Sequence, residues 1–363
     1  MNKSRTLLED LRSASPLKTA LLVALLIFII TFSISSVFSR SMQQQNDEDL
    51  AAKAQQQTLG LRTHISTVSD KYSQLLLAAS SIFAVNDQPT KQDWDAFMAS
   101  VKVTSTYPEL VGVGYAPAIS TDKIGEFEAV AKGLTGDESY RVSHIGQSIA
   151  TPILYIAPAN DANRKVCGYD MYNDPVRRAA MDQARDIGGP VGTAPLMLAQ
   201  DIRQNNAQAT KGVLIYYPVY QAGINPSTAE SRRASLRGFV YVAHHPSDLI
   251  KQYLVQHKDE YVGATIRVED ITKNDEPIEV FRATGDQTIR RVFEKDDISL
   301  TERVWRVATD TPETALKQAS PFVVFGLGTI ASLLLAWTVY NYLISRLRHI
   351  ETTYEGEVQR TKD

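Results

Sequence analysis

Residues 19–38 read TALLVALLIFIITFSISSVF, and residues 321–345 read PFVVFGLGTIASLLLAWTVYNYLIS. Neither stretch contains an Asp, Glu, Lys or Arg residue. An apolar helix of about 20 residues crosses the roughly 30 Å hydrocarbon core of a bilayer. The sequence therefore predicts two transmembrane helices, at 19–38 and 321–345. Between them lie about 280 mostly polar residues, enough for one or two domains.

Basic residues near the two apolar runs predict how the chain is oriented. Those before the first run and after the second are Lys3, Arg5, Arg12, Lys18, Arg346 and Arg348. Because segments rich in Lys and Arg stay in the cytoplasm, residues 1–18 and 346–363 are predicted to be cytoplasmic and the intervening chain extracytoplasmic. The chain is expected to be a two-pass protein of the cytoplasmic (inner) membrane. Cleavage of the first run as a signal peptide is disfavoured, because residues 34–38 offer no clear small-x-small site.

Composition excludes several functional classes. The formal net charge is −3, and nothing indicates nucleic-acid binding. Cys167 is the only cysteine, which rules out an intrachain disulfide, a thiolate metal cluster and a CxxC redox pair. His244 and His245 are adjacent and point to opposite sides of a strand, so they are not expected to hold a metal ion together with Asp248. We predict no metal site and no cofactor.

The sequence also lacks the motifs of common enzymes. It contains no GxSxG elbow, no Walker loop and no HExxH. We therefore predict no catalytic residues and a function other than catalysis for this region. A membrane-anchored extracytoplasmic enzyme is a weaker alternative, because no nucleophile and base are recognisable as a pair.

The segment that follows the first apolar run, residues 39–85, is predicted to be a stalk helix. Its apolar residues recur at alternating steps of four and three, the spacing of a heptad seam. They are Leu61, Ile65, Val68, Tyr72, Leu75, Ala79 and Ile82. Such a seam faces either a second copy of the chain or the chain's own domain. We expect a homodimer held through the stalk and the transmembrane helices.

Residues 86–320 mix helices and strands without strict alternation, which predicts an α+β fold in two domains, 86–235 and 236–320. Thr90 with Asp93 and Asp174 with Pro175 are helix starts, and Arg177 is a candidate for anchoring a neighbouring loop. Helices are also predicted at 121–134 and 247–255. Strands are predicted at 110–115, 139–144, 152–158, 166–171, 190–198, 212–220 and 236–243. Four more, at 263–268, 278–281, 288–293 and 301–308, have the alternation of a half-buried antiparallel sheet.

Five motifs in order resemble a CHASE domain, the extracytoplasmic sensory module found in front of histidine kinases and nucleotide cyclases. They are YPELVGVGY (107–115), GYDM (168–171), RRAAMDQARDIG (177–188), YPVY (217–220) and LRGFVY (236–241). The resemblance covers about residues 60–260. It implies a long N-terminal helix followed by two PAS-like α+β domains, with small-molecule sensing in the membrane-distal one.

Six residues are candidates for binding a ligand: Tyr155, Asp161, Met171, Thr193, Met197 and Tyr217. In the plant cytokinin receptors of this family, a pocket aspartate and a pocket threonine align near Asp161 and on Thr193. Asp161 lies in a polar turn, so cytokinin itself is not the expected ligand. Thr193 and Met197 share one face of a predicted strand by the period of two. Tyr155 and Tyr217 offer aromatic surface with a hydroxyl, as small-molecule sites do.

These observations predict the input half of a transmembrane receptor. An unidentified small molecule binds outside, and the signal passes to a histidine kinase or diguanylate cyclase. That output lies beyond residue 363 or in a partner, and residues 346–363 are predicted to begin a signalling helix. The alternative is a membrane-anchored structural or assembly protein with PAS-like domains and no ligand.

Overall fold

The computed structural model describes residues 16–86, 88–206, 209–273, 275–285, 291–313 and 320–360. The chain divides into two units. A helical unit comprises Met1–Ala51 and Leu316–Asp363, and a globular unit comprises Ala52–Ala315. Most of the predicted cytoplasmic segment 1–18, with Lys3, Arg5 and Arg12, lies outside the described residues, as do residues 361–363.

The α-helices follow one another along the chain as α1 (Pro16–Ser80), α2 (Ile82–Val85), α3 (Lys91–Ser100), α4 (Val103–Thr106), α5 (Ile124–Thr135), α6 (Asp161–Arg164), α7 (Pro175–Ile187), α8 (Ala199–Arg203), α9 (Ala229–Ser235), α10 (Pro246–Gln256) and α11 (Pro321–Arg360). Short 3₁₀ helices lie at Thr121–Lys123 and Met171–Asn173. The strands are β1 (Leu110–Pro117), β2 (Ile119–Ser120), β3 (Ile149–Ala150), β4 (Tyr155–Ala157), β5 (Val191–Gly192), β6 (Val213–Tyr220), β7 (Leu236–His244), β8 (Thr265–Asp270), β9 (Ile278–Ala283), β10 (Arg291–Leu300) and β11 (Arg303–Pro312).

Both apolar runs are helical. By length and composition, the helical stretches Leu17–Val85 and Pro321–Ile350 are long and apolar enough to cross a membrane. Within the helical unit, Ser39 Oγ donates to the carbonyl oxygen of Pro321 at 2.9 Å. The rings of Phe32 and Phe325 meet edge to face with centroids 5.6 Å apart. The first part of α1 and α11 are therefore packed side by side.

The predicted stalk is also present, because α1 continues without a break to Ser80 and α2 follows at once. Its seam, however, packs against the chain's own globular unit. Leu61 and Ile65 belong to one hydrophobic core, and Val68 to Ala79 contribute to a second. The buried seam residues are at most 7 % exposed in a single chain. The alternative that places this seam against a second copy is therefore wrong, since no surface of these side chains is left to share.

Two antiparallel sheets supply further residues of the two cores that contain the seam residues. The first sheet has the order β4-β1-β7-β6-β5 and the second the order β10-β11-β8-β9. In β8, buried residues alternate with half-buried ones, as the predicted half-buried sheet requires. The fold is α+β, as predicted, with helix α1 contributing to two of the three hydrophobic cores.

Strand β7 is the centre of the first sheet. It pairs with β1 on one side and with β6 on the other. Residues 238–244 of this strand are all buried. The first sheet therefore includes residues beyond the predicted domain boundary at 235/236.

The first sheet has two differently covered faces. On the stalk face, Ile215, Val240 and Val242 pack with α1. On the helix-covered face, Leu214, Tyr216 and Tyr241 pack with residues of α7. Neighbouring residues of β6 therefore belong to different cores, as the period of two dictates.

Both predicted helix starts are confirmed. Thr90 and Asp93 form a reciprocal capping box at the start of α3. The Asp174 side chain accepts hydrogen bonds from the backbone N–H groups of Val176 and Arg177, and Pro175 occupies the first turn of α7. Helix α7 ends at Gly188, whose φ of 74° lies in the left-handed region that favours glycine.

Four predicted strands are wrong or much shorter, among them the one at 152–158, which is reduced to β4. Residues 139–144 and 166–171 form no strand and share only the isolated bridge between Ser143 and Tyr169. The reason is Asp170, a fully buried carboxylate that accepts from the backbone N–H groups of Thr151 and Tyr172 at 2.7 and 3.0 Å. These bonds organise a loop in place of a ladder. The strand predicted at 190–198 shrinks to β5, since Pro195 has no N–H to donate to a ladder.

Candidate functional site

Two of the six candidate ligand residues are fully buried on the first sheet. Tyr155 in β4 is 1 % exposed, and its hydroxyl donates to the carbonyl oxygen of Pro89 at 2.6 Å. Thr193, just after β5, is also 1 % exposed, and its Oγ1 accepts from the backbone N–H of Leu214 at 3.1 Å. Both side chains therefore already have internal hydrogen-bond partners.

Met171 and Met197 lie near Arg177. The Tyr216 hydroxyl donates to the sulfur of Met171 at 3.4 Å. Arg177 Nη2 donates to the carbonyl oxygen of Met197 at 3.0 Å. The predicted role of Arg177 as a loop anchor is thereby confirmed. Because β5 ends at Gly192, residues 193–197 do not form the strand on which Thr193 and Met197 were predicted to share a face. Met197 is 36 % exposed, whereas Thr193 is buried.

Asp161 and Tyr217 lie elsewhere. Asp161 opens the short helix α6, with its side chain 86 % exposed and paired with Arg164. Tyr217 is half-buried on the stalk face of the first sheet. The six candidates therefore lie in the region of the first sheet but in different surroundings. Tyr155, Thr193 and Tyr217 each line a different one of the three cavities described next.

The largest of these cavities is an open cleft of about 660 Å³ beside the distal end of α1, which we call the stalk-tip cleft. Tyr217 and Tyr220 of β6 form one side, and Gln74 and Leu77 of α1 form the other. Arg232 also lines it. The cleft combines apolar walls with hydroxyl, amide and guanidinium groups.

A much smaller cavity of about 30 Å³ lies where α1 and the two sheets meet, and we call it the junction cavity. Thr193, His244 and Trp305 are among its lining residues. Beside it, the backbone N–H of Gly192 donates to the carbonyl oxygen of Thr301 at 2.8 Å. A Cβ at Gly192 would lie 2.7 Å from Thr301 Oγ1, so glycine permits this close contact between the two sheets.

The third cavity is an aromatic cleft of about 310 Å³ on the stalk face, lined among others by Tyr155. Phe83, Tyr115 and Phe127 add three further rings to its lining. Among the described lining residues, Arg237 is the one that is charged at neutral pH. Sequence analysis did not single out Arg237, because β7 and helix α5 lie far apart in the sequence and local patterns do not show that both line one cavity.

The helix-covered face of the first sheet holds buried polar atoms that lack protein partners. Arg177, 1 % exposed, donates from Nη1 to Asp174 at 3.0 Å and to the Tyr169 hydroxyl at 3.2 Å. Its Nε and the hydroxyl of Tyr241 have no partner among the described residues. Burial raises the pKa of the Tyr216 and Tyr241 hydroxyls, so both stay protonated. Buried polar atoms are usually hydrogen-bonded, so these two are available to a ligand or water.

The histidines and carboxylates do not assemble a metal site. Within the described residues, no group of three or more His, Cys, Asp or Glu side chains is placed to hold a metal ion. His245 Nε2 lies 3.2 Å from Asp201 Oδ2, and burial raises the pKa of Asp201 while His245 opposes the shift. Burial also raises the pKa of the Cys167 thiol to about 11, which leaves it protonated and weakly nucleophilic.

Sequence reasoning missed Asp170 as an organising residue. Besides its two backbone donors, its Oδ2 lies 2.7 Å from His144 Nδ1. The available signal was a carboxylate inside an otherwise apolar run, VCGYDM at 166–171. A buried charge of this kind needs several hydrogen-bond partners, which a strand interior does not supply.

The family comparison agrees with the architecture. The family model described as CHASE domain matches residues 87–281, more than half of the chain. This region contains the whole first sheet and β8 of the second. A comparison with curated proteins finds no match. The chain belongs to the CHASE domain family.

Proposed function

We propose that this chain is the input region of a transmembrane receptor that senses a small molecule outside the cytoplasmic membrane. A CHASE domain is an extracytoplasmic sensor module of signalling receptors, and here it lies between two apolar helices. The observation that carries the proposal is the course of α1. This one helix includes the first apolar run and later contributes buried residues to two of the three hydrophobic cores of the globular unit.

In this proposal the globular unit comprises two PAS-like domains. The first sheet belongs to the membrane-distal domain and the second sheet to the membrane-proximal one. The division replaces the boundary at 235/236, because β7 is the central strand of the first sheet. Residues 1–18 and 346–363 are cytoplasmic, and a histidine kinase or diguanylate cyclase receives the signal.

The ligand binds the first sheet on its helix-covered face. Supporting this choice are the unpartnered Nε of Arg177 and hydroxyl of Tyr241, both buried there. Met171 and Met197 contact the same cluster through Tyr216 and Arg177. Asp161, Tyr155 and Tyr217 are more remote candidates in this arrangement.

Transmission uses the contact between the two sheets. Gly192 in β5 bonds directly to Thr301, in the turn between β10 and β11. A change at β5 therefore reaches the second sheet without an intermediate residue. A ligand shifts the receptor only by its difference in affinity between two states, so β5 must be placed differently in each.

The test is a chimera of the full chain with a histidine-kinase output domain. Kinase activity should change when the small-molecule fraction of a cell extract is added. Thr193→Met should abolish this change, because the larger side chain at a fully buried site displaces β5. Thr106→Met, at an exposed position, is the matched control and should respond like the wild type. Melting temperatures of both variants show whether each is folded.

Two outcomes contradict the proposal. One is kinase activity that no fraction changes, and the other is a folded Thr193→Met chimera that responds fully. The first outcome, together with a stop codon after residue 363 and no signalling gene nearby, favours the alternative of a ligand-free structural or assembly protein.

A further inference from the structure

The aromatic cleft has a floor made of stacked rings. The centroids of Phe83 and Tyr115 are 4.0 Å apart, with the ring planes inclined by 31°. Tyr155 continues the array at 6.4 Å from Tyr115 and is followed by Trp94 at 6.0 Å, both with interplanar angles below 30°. These four side chains are at most 7 % exposed, so the floor is fixed by the core beneath it.

The walls of the cleft are apolar and its rim is polar. Phe127 and Leu134 of α5 are half-buried, and Val130 of the same helix is 49 % exposed. Gln88 and Arg237 are exposed lining residues. A rigid apolar floor with a few polar groups at the mouth is the usual composition of a small-molecule site.

The charge in this rim has no counter-charge paired with it among the described residues. The guanidinium of Arg237 makes no hydrogen bond or ion pair with any residue that the structure describes. Its backbone carbonyl is occupied, since it accepts from Ala118 N–H at 2.8 Å and from the Tyr115 hydroxyl at 3.4 Å. No carboxylate is among the described residues that line the cleft. Arginine presents a planar fork of donors that matches a carboxylate in two hydrogen bonds.

We propose that the aromatic cleft binds an aromatic carboxylate, with its ring on the Phe83–Tyr115 floor and its carboxylate paired with Arg237. The cavity of about 310 Å³ is at the small end of ligand sites, which suits one or two fused rings. Flat rings gain from offset stacking on an aromatic floor, which an aliphatic chain does not. A cationic ligand is disfavoured, because the charged group among the described lining residues is positive.

This site is separate from the one proposed on the helix-covered face, and its role in sensing rests on the proposed function. Tyr155 lies at its floor and also in the core that contains the end of α1. Binding itself is measured without any signalling output. A chain that binds but fails to signal in the chimera contradicts the receptor proposal and leaves this one standing.

The test is calorimetric titration of the full chain in lipid nanodiscs with matched probes. Phenylacetate and indole-3-acetate are the aromatic acids. Their neutral amides show whether binding requires the carboxylate charge, and octanoate, a carboxylate without a ring, shows whether it requires the aromatic ring. At least one acid should bind about tenfold more tightly than its amide and than octanoate. Empty nanodiscs correct for partitioning into lipid.

Variants then locate the binding. Arg237→Gln should remove the preference for acid over amide, and Val130→Trp should fill the mouth and abolish binding of both. Arg282→Gln, at an exposed arginine of the second sheet, should bind like the wild type. Val130 and Arg237 are exposed, and melting temperatures confirm that both variants fold.

Several results overturn the proposal. These are no binding by either acid, equal binding of acid and amide, octanoate binding as tightly as the acids, or an unchanged preference in Arg237→Gln. Unchanged affinity in a folded Val130→Trp protein also overturns it, because the ligand then lies outside this cleft.

Discussion

His244 is a titratable residue enclosed at the end of β7. Its ring is 6 % exposed and lies with its centroid 5.0 Å from that of Tyr72. Burial and, to a smaller extent, the neighbouring His245 together lower the pKa of His244 to about 3. Its Nδ1 has no partner among the described residues. The folded protein therefore keeps this imidazole neutral at pH values where an unfolded chain, with a histidine pKa of about 6.5, takes up a proton.

This difference predicts a pH dependence of stability. Between pH values of about 3 and 6.5 the unfolded state binds more protons at His244, so the free energy of unfolding falls as the pH falls through this window. Above a pH of about 6.5, His244 contributes no pH dependence to the free energy of unfolding. His244→Phe should remove this contribution and retain about 2–3 kcal/mol more stability than the wild type on going from neutral pH to about pH 4.5.

Melting curves of the full chain in nanodiscs, recorded across this pH range, measure the effect. His349→Phe, at an exposed histidine of α11, is the control and should follow the wild type. Parallel pH profiles for His244→Phe and the wild type would show that His244 is accessible to protons in the folded state.

At the same scale, local chemistry made some residues predictable and others not. The caps at Thr90 and Asp174 depend on residues two or three positions away, and both were predicted correctly. The role of Asp170 depends on Thr151 and His144, 19 and 26 positions away, and was missed. Contacts between residues so far apart in the sequence leave no periodic pattern by which they could be predicted.

Among the elements, α1 has a second stripe that the seam leaves free. Its exposed positions also recur at steps of four and three along the helix. They are Thr63, Thr67, Asp70, Gln74 and Leu77. Since the apolar seam is buried in the chain's own cores, a homodimer held through the stalk must use this exposed stripe.

Cysteine cross-linking distinguishes the two faces of α1. In a Cys167→Ala background, Thr67→Cys and Gln74→Cys should form disulfide-linked dimers in membranes, because both lie on the exposed stripe. Ile65→Cys is the matched control two positions away and should remain monomeric, because this site is 3 % exposed. Cross-links at Ile65 without cross-links at Thr67 or Gln74 would place the seam at a dimer interface after all. No cross-link at any position would contradict a stalk dimer.

The spacing of apolar residues predicted correctly whether a segment is a helix or a strand where one face of that segment is consistently buried. The heptad seam gave α1, and the alternation in residues 301–308 gave most of β11. The seam did not reveal which surface covers it, because apolar spacing is the same for a partner helix and a sheet. The strand predicted at 166–171 failed because tertiary hydrogen bonds to Asp170 outweigh the local preference for a strand.

For the whole molecule, the ligand candidates show what a family resemblance adds and where it stops. The resemblance aligns Thr193 with a pocket threonine, and the structure places Thr193 just after β5, the edge strand of the first sheet. Local alternation placed Met197 on the same face, but the chain turns at Pro195 and Met197 becomes partly exposed. The arrangement of the cavities depends on how α1, α5 and α7 cover the two sheets, which no single segment encodes.

The proposed orientation predicts which parts of the chain face each side of the membrane. Gln204 is an exposed residue after α8 in the globular unit, and His349 is exposed on α11 beyond the second apolar run. Gln204→Cys should react with a membrane-impermeant maleimide in intact spheroplasts, and His349→Cys should react only after the membrane is permeabilised. The wild type supplies the background, because its only cysteine, Cys167, is partly buried with a pKa raised to about 11. Labelling of His349→Cys in intact spheroplasts, with Gln204→Cys protected, would invert the proposed topology. The proposal would then change to a sensor whose ligand sites face the cytoplasm.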